Sequence, residues 1–134
     1  MWNYYLNSAM QISQNFTRSE FACKCSCGFD TVDHQLIKDL ERLREHFGQK
    51  ITINSGCRCV EYNEKIQKNA KPLYAPYTSK SQHLYGRAAD IVVQNVSPDK
   101  VYEFLDSYAP NRLGLGKYKT FTHIDSRSGA AKRW

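Results

Sequence analysis

The sequence predicts an α+β fold, a small and mainly antiparallel sheet packed with helices. One long segment repeats its apolar residues at helical intervals, and four short runs have the make-up of strands. Helices and strands are interspersed without the regular strand–helix–strand alternation that builds parallel sheets.

In TRSEF, Thr17 stands three residues before Glu20, the spacing of a capping box, which predicts a short helical turn flanked by the core residues Phe16 and Phe21. From Asp30 to Phe47, the residues Leu36, Leu40, Leu43 and Phe47 recur at helical spacing; Asp30 or Thr31 can cap the start, and Gly48 ends it. KITINS, Lys50 to Ser55, alternates with β-branched residues as a strand does and delivers the loop SGCRC. A second helix is expected from Val60 to Lys68. Asn69 to Lys80, with Pro72, Pro76 and several tyrosines, has neither period and is expected to be an ordered surface loop.

AADIVV, Ala88 to Val93, is an apolar run suited to a buried strand, with Asp90 as its anomaly. Pro98 opens a third helix after Ser97, with Val101, Phe104, Leu105 and Tyr108 on its inner face. GLGKY and TFTHID read as two final strands joined by a turn near Lys119.

A chain of 134 residues has room for one core, so a single domain over 1–134 is expected. Apolar residues at 41% against 24% charged argue for a globular rather than a disordered chain. The net charge of +6 favours polyanionic surfaces such as nucleic acid or an acidic cell wall and is too mild to choose between them. Basic residues are dispersed, however, apart from Lys132 and Arg133, and there is no phosphate-cradling glycine loop, so no nucleic-acid partner is expected. Asn3, Asn7, Ser8 and Gln11 interrupt the uncharged start, and no basic segment precedes it, so a secretory signal is not expected. Nowhere do about 18 apolar residues run together, as a membrane span requires. A soluble monomer without membrane insertion is the expectation.

Five cysteines fall in two groups, Cys23, Cys25 and Cys27 in CKCSC, then Cys57 and Cys59 in CRC. Their odd number argues against a fully paired secreted framework, and C-x-C is not the C-x-x-C of common structural zinc knuckles. Reduced thiols beside the core are the simplest account, with a second metal cluster or a disulfide as alternatives.

The informative stretch is SQHLYGRAAD. An ionised carboxylate in a buried strand is costly unless neutralised, and a bound cation can do that. His83 precedes Asp90 across a turn eased by Gly86 and left uncrowded by Ala88 and Ala89. His123 in THID is the best third ligand, because His34 and His46 sit on the first helix beside Asp33 and Glu45, as a solvated face would place them. Two imidazoles and a carboxylate suit one catalytic Zn2+ with a fourth position open to water. HxxxxxxD alone is a weak pattern, more often a hydrogen-bonded structural pair than a metal site.

SQHLYGRAADI resembles SxHxxGxAxD, the signature of the zinc D-alanyl-D-alanine carboxypeptidase and peptidoglycan endopeptidase family, whose fold is shared with the hedgehog signalling domain. FTRSEFACKCSCG, ITINSGCRCVEYN and GLGKYKTFTHIDSR resemble further blocks of its phage and bacterial subgroup, so the likeness covers roughly residues 12 to 127. The resemblance implies a hedgehog/DD-peptidase-like fold, zinc ligation by His83, Asp90 and His123, substrate binding by Ser81, and an Arg58 that clamps a developing oxyanion or a substrate carboxylate. It further implies amide hydrolysis in peptidoglycan stem or cross-link peptides by a phage enzyme of lysis or infection, made in the host cytoplasm and acting on the cell wall.

One departure stands out. Well-known members carry a Glu or Asp three residues before the last zinc histidine, or a histidine two before it, as general base; here those positions are Thr120 and Phe121. Asp125 shares the His123 face and could act as base, or could instead accept the other imidazole N–H and orient the ligand, the preferred role. Tyr85, Tyr118, Glu61 and Glu64 are further groups able to contact water or substrate. The alternative to an enzyme is a zinc-stabilised, catalytically silent domain that binds cell wall or protein.

Overall fold

The structure is a computed structural model that describes residues 10–70 and 81–134, with backbone alone over 67–70. Three helices, α1 (His34–Phe47), α2 (Val60–Ala70) and α3 (Pro98–Tyr108), accompany five strands, β1 (Ile51–Ser55), β2 (Ala88–Val93), β3 (Gly114–Lys117), β4 (Thr122–Asp125) and β5 (Lys132–Arg133). The strands form one sheet in the order β1-β2-β4-β3-β5. Every pairing is antiparallel except β3 with β5. The fold is therefore α+β with a mainly antiparallel sheet, as the sequence predicts.

Alternation divides the sheet into two faces. Ile51 and Ile53 of β1, Ala89, Ile91 and Val93 of β2, Leu115 of β3 and Ile124 of β4 join one buried cluster with Leu36, Leu40 and Leu43 of α1 and Val101 and Leu105 of α3. Each of the isoleucine, leucine and valine side chains, fully buried, contributes about 1.5–3 kcal/mol. The residues between them, Asp90, His123 and Asp125, take the opposite face. Phe21, on a short 3-10 turn, Arg18–Phe21, closes the core together with Phe16 just before it; the Glu20 carboxylate accepts the Thr17 backbone N–H at 2.6 Å, as a capping box requires.

The start of α1 differs from the expectation. Its N-cap is Asp33, not Asp30 or Thr31, and Gly48 closes the helix in the left-handed region. The preceding chain is held extended because the Asp33 N–H donates to the Gly86 carbonyl at 2.7 Å and its carboxylate accepts the Ser126 hydroxyl at 2.7 Å. In α3, Ser97 caps the first turn by accepting the Lys100 N–H, and Phe104 and Tyr108 are half-buried rather than fully inward. α2 runs two residues past Lys68, and the rest of the expected loop, 71–80, lies outside the described residues. Nothing in the sequence reading anticipated β5.

A second feature it missed is the Asp39 carboxylate, fully buried on α1. Arg112 grips it with two bonds of 2.8 Å, and the Tyr108 hydroxyl donates a third at 2.9 Å. Leaving such a carboxylate unpaired costs several kcal/mol, which is why the partners come as a set. Arg112→Ala should lower unfolding stability by about 2–3 kcal/mol, less than a fully buried pair because the guanidinium is partly exposed, read as a shift in the urea midpoint at unchanged slope.

Candidate metal centre

The 3-10 turn Gln82–Tyr85 carries His83. Ser81 caps the turn, its hydroxyl accepting the His83 backbone N–H at 3.3 Å. Gly86 ends it at φ +67°, and a Cβ there would lie 2.5 Å from the Thr31 carbonyl oxygen. Only glycine satisfies both the left-handed backbone and that close approach.

His83 is buried, and its Nδ1 lies 2.6 Å from the Gly56 carbonyl oxygen. A carbonyl can only accept, so Nδ1 carries a proton and Nε2 is the nitrogen left to face a metal. Nε2 stands 3.5 Å from Asp90 Oδ1.

Register supplies the second histidine. Asp90 of β2 is directly opposite His123 of β4, so both side chains project from the same face. His123 Nδ1 is 3.1 Å from Asp90 Oδ1, while its Nε2 is 2.7 Å from Asp125 Oδ2. Each imidazole therefore has its outer nitrogen tied to an acceptor and its inner nitrogen turned toward one carboxylate oxygen. One donor atom from each of His83, Asp90 and His123 falls within 4.8 Å of the other two. Ligands bound at about 2.0–2.1 Å around a tetrahedral ion stand about 3.3 Å apart, so the spacings to Asp90 fit a single dication.

Asp125 is fully buried, and its oxygens accept from His123, from the Gly114 N–H at 3.2 Å and from Arg127 Nε and Nη2 at 2.7 Å each. Gly114 lies opposite Asp125 in the register, where any Cβ would overlap that carboxylate. The glycine of GLGKY thus makes the room in which Asp125 reaches His123. Burial alone would raise the Asp125 carboxyl, but Arg127 and His123 outweigh it and hold it well below the usual carboxylate range. Asp90 is likewise pushed up by burial and held well down by the two histidines. Burial lowers the His123 imidazole, yet Asp125 and Asp90 outweigh that and raise it.

Arg58 is mostly buried, not a surface ion pair: Nη2 reaches Asp90 Oδ2 at 3.2 Å, Nε reaches Ser55 Oγ at 3.1 Å and Nη1 reaches Asn63 Oδ1 at 3.3 Å. Around these groups opens a cleft of about 780 Å3, lined also by Ser81 and by Tyr118, Phe121 and Trp134. Tyr118 stacks on Phe121 at 4.4 Å and accepts the Trp134 indole N–H at 3.0 Å. Trp134 reaches the cleft because β5 pairs beside β3, a placement no local sequence signal announces. Arg127 was equally missed; its only signal is its nearness to THID. Thr120 is exposed, Tyr85 lies over Arg87, and Glu61 borders the cysteine-lined hollow instead of this cleft.

Carboxylates held low stabilise the fold above about pH 4 and lose that contribution as pH falls below it. The metal-free protein should thus lose stability progressively on acidification from about pH 4, and Asp125→Asn should flatten part of that dependence in urea midpoints measured against pH.

The model of the family Peptidase M15 matches residues 14–125, a span holding Arg58, Ser81, His83, Asp90, His123 and Asp125. No curated protein matches the chain. A metallopeptidase of this kind accords with a donor set of two oriented imidazoles and a carboxylate able to hold a metal. The chain belongs to the peptidase M15 family.

Proposed function

We propose that the protein is a zinc-dependent peptidase that hydrolyses amide bonds in peptidoglycan stem or cross-link peptides, and that it serves a phage in lysis or infection as a single-domain monomer. The observation that supports this most is the orientation of both imidazoles toward Asp90, each fixed by an acceptor on its far nitrogen. When bound by His83, Asp90 and His123, a zinc ion supplies an acidified water and polarises the scissile carbonyl.

The chain's own residues do the rest. Arg58 engages one oxygen of Asp90 and leaves the other to the histidines, and its permanent charge beside the cleft favours an oxyanion or a substrate carboxylate. Ser81 positions the His83 turn and borders the cleft, where its hydroxyl contacts the peptide. Tyr118, Phe121 and Trp134 offer an apolar wall against which a peptide stem lies. Asp125 orients His123 instead of taking the water proton, because its oxygens are occupied by His123, Arg127 and Gly114.

One observation favours a second reading. Among the described residues, the carboxylates that line the cleft are Asp90 and Asp125, and both are engaged. A catalytically silent domain that binds cell-wall peptides would need no base.

Digestion of purified muropeptides by the zinc-loaded protein, followed by mass spectrometry, should yield cleaved products that His83→Ala fails to give. Zinc bound at one equivalent in this centre with every muropeptide mass unchanged would establish the silent domain instead. Asp125→Asn should weaken zinc binding by about 10- to 100-fold and recover activity at saturating zinc. Loss of about 100- to 10,000-fold in kcat at unchanged zinc affinity would mark it as the base. Zinc affinity should also fall as pH drops through the raised value of His123, since metal and proton compete for the imidazole.

A further inference from the structure

The peptidase reading makes no use of the cysteines, yet the fold gathers four of the five. Sγ atoms of Cys23, Cys25, Cys27 and Cys59 all lie within 4.8 Å of one another. Cys23 and Cys25 are 3.4 Å apart, and Cys25 is 3.6 Å from Cys59, which comes from a loop 34 residues away. We propose that these four thiols form a second, structural zinc site, independent of the histidine–aspartate centre.

Distances separate this from the alternatives. Four thiolates bound at about 2.3 Å to one tetrahedral ion stand about 3.8 Å apart along each edge, close to the observed spacings. A disulfide needs sulfurs about 2.05 Å apart and two cysteines paired to the exclusion of the others, whereas here one sulfur, Cys25, neighbours two partners. All five thiols are free.

The local backbone is shaped to this end. Ser26 adopts φ +66° and its N–H returns to the Cys23 carbonyl at 3.2 Å, a turn that brings the three sulfurs of CKCSC to one side. The Cys59 N–H points at Cys23 Sγ and the Tyr62 N–H at Cys59 Sγ, each at 3.4 Å, so backbone dipoles already face sulfur. The α2 N-terminus begins at Val60, directly after Cys59, and favours negative charge there. Zinc uptake releases the thiol protons, giving a tetrathiolate of net charge −2 whose surroundings include both Lys65 and Glu61.

Cys57 explains the odd count. It is buried, and its thiol donates to the Phe29 carbonyl at 3.1 Å, apart from the group of four. The segment Gly56 to Cys59 therefore fastens three things in sequence: Gly56 orients His83, Arg58 holds Asp90, and Cys59 ties the segment to the Cys23 loop. A metal at the thiols would brace the loop that arranges the peptidase centre.

The test is metal counting on the full chain, produced with zinc under reducing conditions, by elemental analysis and native mass spectrometry. Wild type and Cys57→Ser should hold two zinc ions, and a His83→Ala/His123→Ala variant one. Replacing that remaining zinc with cobalt should give an intense thiolate charge-transfer band, which Cys25→Ser removes. Should Cys25→Ser not fold, alkylation of the wild type replaces it: four thiols protected with zinc present and reactive after chelation. One zinc in the wild type and none in the double histidine variant would overturn the proposal, as would thiols recovered as disulfides or reacting alike with and without zinc. Two bound zinc ions with no muropeptide hydrolysis would sink the peptidase reading alone, and hydrolysis with a single zinc would sink this one alone.

Discussion

A carboxylate placed inside a sheet is the constraint around which this molecule is arranged. Asp90 sits in β2 between Ala89 and Ile91, both buried, and an ionised group there requires partners from several directions. They arrive from three separate parts of the chain: Arg58 from the loop after β1, His83 from the turn before β2, and His123 from β4. Each partner is held by something further back, Arg58 by Ser55 and Asn63, His83 by Gly56, His123 by Asp125. Asp125 in turn needs Arg127 and the absence of a side chain at Gly114. The polar side of the sheet is thus one chain of dependencies, and the apolar side is an ordinary packed core.

That division of labour explains how a short chain accommodates so many charged groups near its centre. The helices α1 and α3 cover one face and supply burial, leaving the other face to small residues and hydrogen bonds. Loops need little length of their own because they are pinned to each other. Asp33 meets Gly86, Cys57 meets Phe21 and Phe29, and Arg58 N–H meets the His83 carbonyl.

Much of this was legible in the sequence, and what was not has a physical reason. Leu36, Leu40 and Leu43 announce α1 because an isolated helix face leaves a period, and the anomaly of Asp90 in AADIVV announces a polar centre because burial makes such a residue expensive. The fold brings one donor atom from each of His83, Asp90 and His123 within 4.8 Å of the others. Illegible were the contacts that depend on distant closure. Asp39 finds Arg112 across 73 positions, and Cys25 finds Cys59 across 34. The N-cap of α1 shifted to Asp33 because Gly86, far along the chain, fixes the backbone there. β5 is two residues long, too short to show any alternation, so neither it nor Trp134 beside the cleft leaves a periodic trace.

The pairing of Asp90 with His123 carries one more implication. Strand alternation means that sliding β4 by a single position would send both His123 and Asp125 into the oily layer and bring Thr122 and Ile124 out. Such a slip forfeits the whole polar assembly at once, so its hydrogen bonds and ion pairs exist in one strand alignment alone. The polar cluster and the pairing of β2 with β4 thereby stand or fall together.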